Sequence, residues 1–153
     1  MRITKYKTEL NADGLNVLVK ESAFNYDMNA CNEPCKVATL MNDCFRLNRQ
    51  TEEYVYLLCL NTKMKIIGIF ELSHGTVNMS LVSPREVFVK ALLSGATNII
   101  LVHNHPSGDI YPSKEDIESF KRLKEVGNLV NIPLADSIIV GDGYLSMYEQ
   151  KFT

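Results

Sequence analysis

A chain of 153 residues, 46% hydrophobic and 22% charged, has the profile of one folded domain able to bury about two-thirds of its unfolded surface. Its net charge of -2 provides no general field for wrapping nucleic acid, which needs clustered Lys and Arg; a local patch is open, for instance from Lys36, Arg46 and Arg49. No apolar stretch approaches the roughly 20 residues that cross a bilayer, and MRITKYKTEL lacks the apolar core of a secretory signal, so the cytoplasm is the expected location.

ITKYKTEL and LNVLVKESAF read as two strands around the turn NADG, where Asp13-Gly14 supplies hairpin chemistry. A helix opens at Asn32 or Glu33 with Pro34 in its first turn, where a missing N–H does no harm. Val37, Leu40, Met41, Cys44 and Phe45 keep helical spacing, and Leu47-Asn48 closes the element. EYVYLLCL and KIIGIFEL form an antiparallel hairpin around NTKM, and TVNMSLV is a short strand or extended connection. SPREVFVKALLSG carries Ser83 as N-cap, Pro84 at the first position, Glu86 completing a capping box and Gly95 as its stop. NIILVHN is a buried central strand. SKEDIESFKRLKEVG is an amphipathic helix that turns Ile117, Phe120, Leu123 and Val126 to the core, and IPLADSIIVGDGYLSMYE gives two strands joined at Gly141-Asp142-Gly143. Hairpins mixed with crossover helices predict an α/β (α+β) sandwich around a mixed β-sheet.

The four cysteines do not predict a metal site. Cys31 and Cys35 form a C-x3-C pair with no second pair at ligand spacing, and Cys44 and Cys59 fall on apolar positions of a helix and a strand. The histidines are more informative. His103 and His105 are two of only three in the chain, and residues two apart on a strand share a face. Pro106 then ends the ladder. Two imidazoles so placed can converge on one zinc ion, and Asp116, in the first turn of the helix after Ser113, supplies a third ligand. Three protein ligands with an open position suit catalytic zinc. Ser113-x-x-Asp116 is equally a capping box, which needs no function to explain it.

HNHPSGDIYPSKED resembles the JAMM (MPN+ or JAB) metalloprotease signature, His-x-His-Pro followed by Ser-x-x-Asp. SPREVFVKALLSGATNIILVHNHPSGDIYPSKEDIESFKRL and ADSIIVGDG are similar to the bacterial RadC proteins, historically called DNA repair proteins, and the likeness runs from about Cys35 to Tyr148. The resemblance implies a JAMM/cytidine-deaminase-like sandwich over 31–153, preceded by a hairpin extension over 1–30. It implies that His103, His105 and Asp116 bind zinc, that Glu53 takes the proton of the attacking water, and that Ser113 donates to the oxyanion. The expected substrate is a protein or peptide, with a DNA-repair-associated role as the alternative reading. Glu52 should turn away from the metal by strand alternation, and Glu71 competes for the role of base. Glu86 is assigned to its cap, Asp109 to a turn, and His74 to a surface turn. Ser137 stands where the family usually has histidine, and the helix-hairpin-helix region common in full-length RadC proteins is not expected here. Oligomeric state is undecided, although the N-terminal hairpin offers an edge strand.

Overall fold

The apolar runs EYVYLLCL and NIILVHN become neighbouring central strands of a seven-stranded mixed sheet in the computed structural model, which describes residues 1–75, 79 and 82–152. The strands are β1 (Arg2–Leu10), β2 (Asn16–Asn25), β3 (Glu53–Leu60), β4 (Ile66–Gly75), β5 (Asn98–Asn104), β6 (Leu134–Gly141) and β7 (Gly143–Ser146). Their order is β2-β1-β4-β3-β5-β6-β7. β1–β4 and β5–β6 run parallel and the remaining pairs antiparallel. Among the described residues three α-helices accompany them: α1 (Pro34–Phe45), α2 (Pro84–Ser94) and α3 (Lys114–Leu129).

Strand alternation divides the interior between the two faces of the sheet. Val55, Leu57 and Cys59 of β3 join Ile99 and Leu101 of β5 in a core that also holds Val87, Phe88 and Ala91 of α2 and Phe120 and Leu123 of α3. Tyr56, Leu58 and Leu60 join Ile100 and Val102 on the other face, with Val37, Leu40 and Met41 of α1. The runs are apolar at successive positions because both faces of these strands are covered. Leu57, Leu58 and Leu101 are fully buried, each worth about 1.5–3 kcal/mol relative to exposure.

Several local expectations are met in the backbone. The Asp13-Gly14 hairpin forms with Gly14 at φ 77, and Gly95 caps α2 at φ 71. Ser83 holds the N-cap position of α2 but makes no side-chain cap bond, so the expected capping box does not form. Its partner Glu86 is drawn instead to Arg85 at 3.1 Å and Lys90 at 3.6 Å. α1 closes one residue earlier than expected, at Arg46 with φ 50, and Leu47–Arg49 forms a 3-10 turn. Cys44 is partly rather than fully buried, whereas Cys59 is in the core; all four cysteines are free.

Helix α3 continues past Gly127 to Leu129, where glycine would ordinarily signal a stop. That glycine serves a close approach instead: a Cβ there would sit 2.6 Å from the Ile132 carbonyl oxygen. Phe120 and Leu123 are buried as expected, while Ile117 and Val126 pack at the margin of the same core. The expected strand or connection TVNMSLV lies outside the described residues except for Met79 and Val82, both buried. Among the described residues no helix is long and apolar enough to cross a membrane.

Candidate metal centre

β5 carries the first half of the centre because its register is held on both sides. His103 lies between Val55 of β3 and Ile139 of β6, on the face that bears α2 and α3. His105 extends the alignment by one more rung, its N–H donating to the Val140 carbonyl at 2.8 Å. The two imidazoles meet edge to face, with their Nε2 atoms 3.2 Å apart.

Helix α3 brings the carboxylate. Ser113 Oγ accepts the Asp116 N–H at 3.0 Å, and Asp116 Oδ2 accepts the Ser113 N–H at 2.8 Å. This capping box fixes the Asp116 side chain at the helix start and aims it at the strand end. Oδ1 lies 3.3 Å from His103 Nε2 and Oδ2 lies 3.1 Å from His105 Nε2. The capping box thus also places the Asp116 carboxylate beside the two imidazoles.

Glu53 opens β3 on the same face as Val55, and its Oε1 reaches within 3.9 Å of His105 Nε2. Glu53, His103 and His105 each bring one ligating atom within 4.8 Å of the others. A cleft of about 340 Å³ opens over the group, lined by Glu53, Met79, His105, Ser113, Glu115 and Asp116. A larger hollow of about 520 Å³ lies elsewhere, beside Tyr26 and the start of α1, remote from the histidine pair.

The donor set fits a metal ion. Ligands about 2.0–2.1 Å from a tetrahedral zinc stand about 3.3–3.4 Å apart. The two Nε2 atoms are 3.2 Å apart, and the Asp116 carboxylate offers Oδ1 at 3.3 Å to His103 and Oδ2 at 3.1 Å to His105. His105 Nδ1 lies 2.7 Å from the Asp109 carbonyl, which can accept its N–H and leave Nε2 free to ligate. His103 Nδ1 is buried with no hydrogen-bond partner among the described residues.

Electrostatics follow from burial and contact. Burial pushes the Asp116 carboxyl up, but hydrogen bonds from both imidazoles and the Ser113 N–H overcome it and hold the group well below the usual carboxylate range. The hydrogen bond to Asp116 raises the His105 imidazole against the opposing effect of burial. Burial raises Glu53, and the neighbouring histidines only partly offset it. A raised carboxylate beside a cleft suits proton transfer.

The competing residues sort by register. A shift between Val55 and Tyr56 sets Glu71 opposite Tyr56 and His74 opposite Tyr54, on the α1 side of the sheet. Glu71 therefore faces away from the histidine pair. His74 is not a lone turn residue: it lies in β4, bonds Glu71 at 3.2 Å and stacks on Tyr54 with ring centroids 5.1 Å apart. Asp109 makes the expected turn, its Oδ1 accepting the Tyr111 N–H at 2.9 Å. Asp136, buried on the α1 face, accepts from Ser137 N–H at 2.8 Å, Ser146 Oγ–H at 2.5 Å and Tyr148 N–H at 3.0 Å. It ties the C-terminal strands together.

One residue of the centre escaped the sequence reading. Asn104 lies between the two histidines, turned to the other face and 1% exposed. Its Oδ1 accepts the Tyr54 N–H at 2.7 Å and its Nδ2 donates to the Glu52 carbonyl at 2.9 Å. The paired residues of β3 and β5 end at Val55–His103, so the Asn104 amide continues the ladder and grips the backbone on both sides of Glu53. A fully polar side chain inside a buried apolar strand was the available signal. Asn104→Ala is expected to lower the unfolding free energy by about 1–3 kcal/mol through these unpaired groups, measurable by urea titration.

The chain matches the family model of the RadC-like JAB domain over residues 31–152. A UPF0758 protein of Clostridium acetobutylicum is 45% identical over 118 residues, covering 76% of this chain and 51% of the relative. One from Caldanaerobacter subterraneus is 52% identical over 93 residues, covering 61% and 40%. One from Finegoldia magna is 48% identical over 114 residues, covering 74% and 50%. The chain thus spans about half the length of these curated relatives, or less.

Proposed function

The chain belongs to the RadC-like JAB domain family, and from that membership and the geometry of the cleft we propose that it is a zinc-dependent hydrolase of the JAMM type, acting on a peptide or isopeptide bond. The observation that carries this reading is the meeting of His103, His105 and Asp116 within 3.1–3.3 Å, with Glu53 3.9 Å from His105.

His103 and His105 through Nε2, and Asp116 through its carboxylate, would hold the metal. Zinc, when bound, supplies Lewis acidity and brings the pKa of its water toward about 7. Glu53 is the base: raised by burial, it accepts the proton of the attacking water and returns it to the leaving nitrogen. Ser113 Oγ already accepts the Asp116 N–H, which leaves its hydroxyl proton free to donate to the developing oxyanion. Protein or peptide is the substrate class for which this chemistry is suited.

Charge does not favour the nucleic-acid alternative. The cleft is lined by Glu53, Glu115 and Asp116, and Lys36, one of the three candidate patch residues, is paired with Glu33 at 2.6 Å.

The test is cleavage of a peptide library and of ubiquitin-like fusions by protein purified without chelators. Hydrolysis should disappear after chelation and return with added zinc. Protein that takes up no zinc under these conditions rules the reading out.

A further inference from the structure

Gly141, the last residue of β6, is not among the glycines with positive φ, so its backbone conformation alone does not demand glycine. Its surroundings do. A Cβ on Gly141 would stand 2.5 Å from the Gly108 carbonyl oxygen, 2.9 Å from its carbonyl carbon and 3.1 Å from Ile110 Cγ2. Gly108 is at φ 89, and a Cβ there would meet the Asp142 carboxylate at 2.6 Å. The loop after β5 and the turn after β6 therefore touch backbone to backbone, with no room for a side chain at Gly141, whereas at Gly108 the obstacle is the end of the Asp142 side chain.

Hydrogen bonds close the contact. Asp142 N–H donates to the Gly108 carbonyl at 2.8 Å, Gly108 N–H to the His105 carbonyl at 2.9 Å, and His105 N–H to the Val140 carbonyl at 2.8 Å. The residue after Gly108 is Asp109, whose carbonyl faces His105 Nδ1 at 2.7 Å. The clasp thus sets the position of one of the two acceptors on the His105 ring, the Asp109 carbonyl at Nδ1, opposite Asp116 Oδ2 at 3.1 Å from Nε2.

We propose that Gly141 is a positioning residue for His105: by admitting Gly108 against the end of β6 it seats the Asp109 carbonyl on Nδ1–H and leaves Nε2 bare toward Asp116 and the metal. The inference rests on the metal reading of the cleft. It extends that reading to a turn on a neighbouring strand, which contributes no ligand of its own. A side chain at position 141 displaces the loop, the acceptor leaves Nδ1, and the imidazole is free to turn or to protonate at Nε2. Outer-shell partners of metal-ligating histidines typically matter by about 10–100-fold in affinity.

The first measurement needs no variant and no metal. Nitrogen-15 NMR of the histidine rings in the metal-free protein, at a pH of about 9 so that imidazole is neutral, should show His105 protonated on Nδ1. An Nε2–H tautomer overturns the proposal. The second uses Zn²⁺ alone against a chromogenic chelator. Gly141→Ala should bind about 10–100-fold more weakly than the unaltered chain. Gly95→Ala, strained at φ 71 at the end of α2 with none of the described residues within 4 Å of the added Cβ, should lose stability but keep its zinc affinity. Unchanged affinity in Gly141→Ala, or an equal loss in Gly95→Ala, overturns the proposal. If Gly141→Ala does not fold, the tautomer decides. Absence of zinc binding by the unaltered chain would instead count against the metal reading, and the tautomer would still decide the positioning.

Discussion

Asp116→Ala should emerge from gel filtration nearly free of zinc, where the unaltered chain should retain about one ion. Two imidazoles remain in the variant, but the carboxylate that lies 3.1–3.3 Å from both is gone. A second effect accompanies the first, because Asp116 Oδ2 also accepts the Ser113 N–H at the start of α3. Loss of such a cap costs about 1 kcal/mol. Asp116→Asn separates the two, since an amide oxygen can keep the cap while the charge disappears. The expected order of zinc content is unaltered chain, Asp116→Asn, Asp116→Ala, with only the last measurably destabilised. A full complement of zinc in Asp116→Ala would remove Asp116 from the ligand set. The pH dependence has a definite sign. Imidazole must be neutral to ligate, and Asp116 raises His105, so acid should release the metal through His105 while Asp116 is still ionised.

Glu53→Gln should keep zinc and lose hydrolysis by about 10²–10⁴-fold, the ordinary contribution of a positioned acid–base group. Glutamine preserves size and hydrogen bonding but cannot accept the proton. Because Glu53 lies with His103 and His105 in one group of possible ligands, metal content must be measured on the same sample. Zinc retained with turnover lost supports the role of base; zinc lost makes Glu53 a ligand; turnover undiminished moves the base elsewhere. Glu71 is not an available substitute, since its position opposite Tyr56 turns it to the other side of the sheet.

Much of the fold was legible because its signals are local. The run EYVYLLCL matches β3 residue for residue and NIILVHN matches β5, since both faces of these strands need apolar side chains. Gly14 and Gly95 marked their turns through a backbone conformation that favours glycine. Signals that depend on a partner were less reliable. Ser83 and Glu86 have the spacing of a capping box, yet Arg85 and Lys90 compete successfully for the glutamate. Gly127 has the composition of a helix stop, but it lies inside α3 against the chain that follows. Glu71 was rightly set behind Glu53, but His74 was misread as a turn residue because β4 runs on to Gly75, and the register shift that pairs it with Tyr54 is announced by no residue type.

By itself the sequence determined the candidate metal-binding stretch. His103 and His105 share a face by strand geometry, and Ser113-x-x-Asp116 caps a helix that starts close behind them, all within 14 residues. Tertiary structure alone decided which distant groups complete that stretch. Glu53 comes within reach because β3 pairs antiparallel with β5, and Asn104 holds it there across some fifty residues of sequence. Gly141 reaches the same centre through β6, by having no side chain where Gly108 must pass. Pairing between strands is a long-range choice made by the whole core, so the residues it brings together carry no mark of one another along the chain.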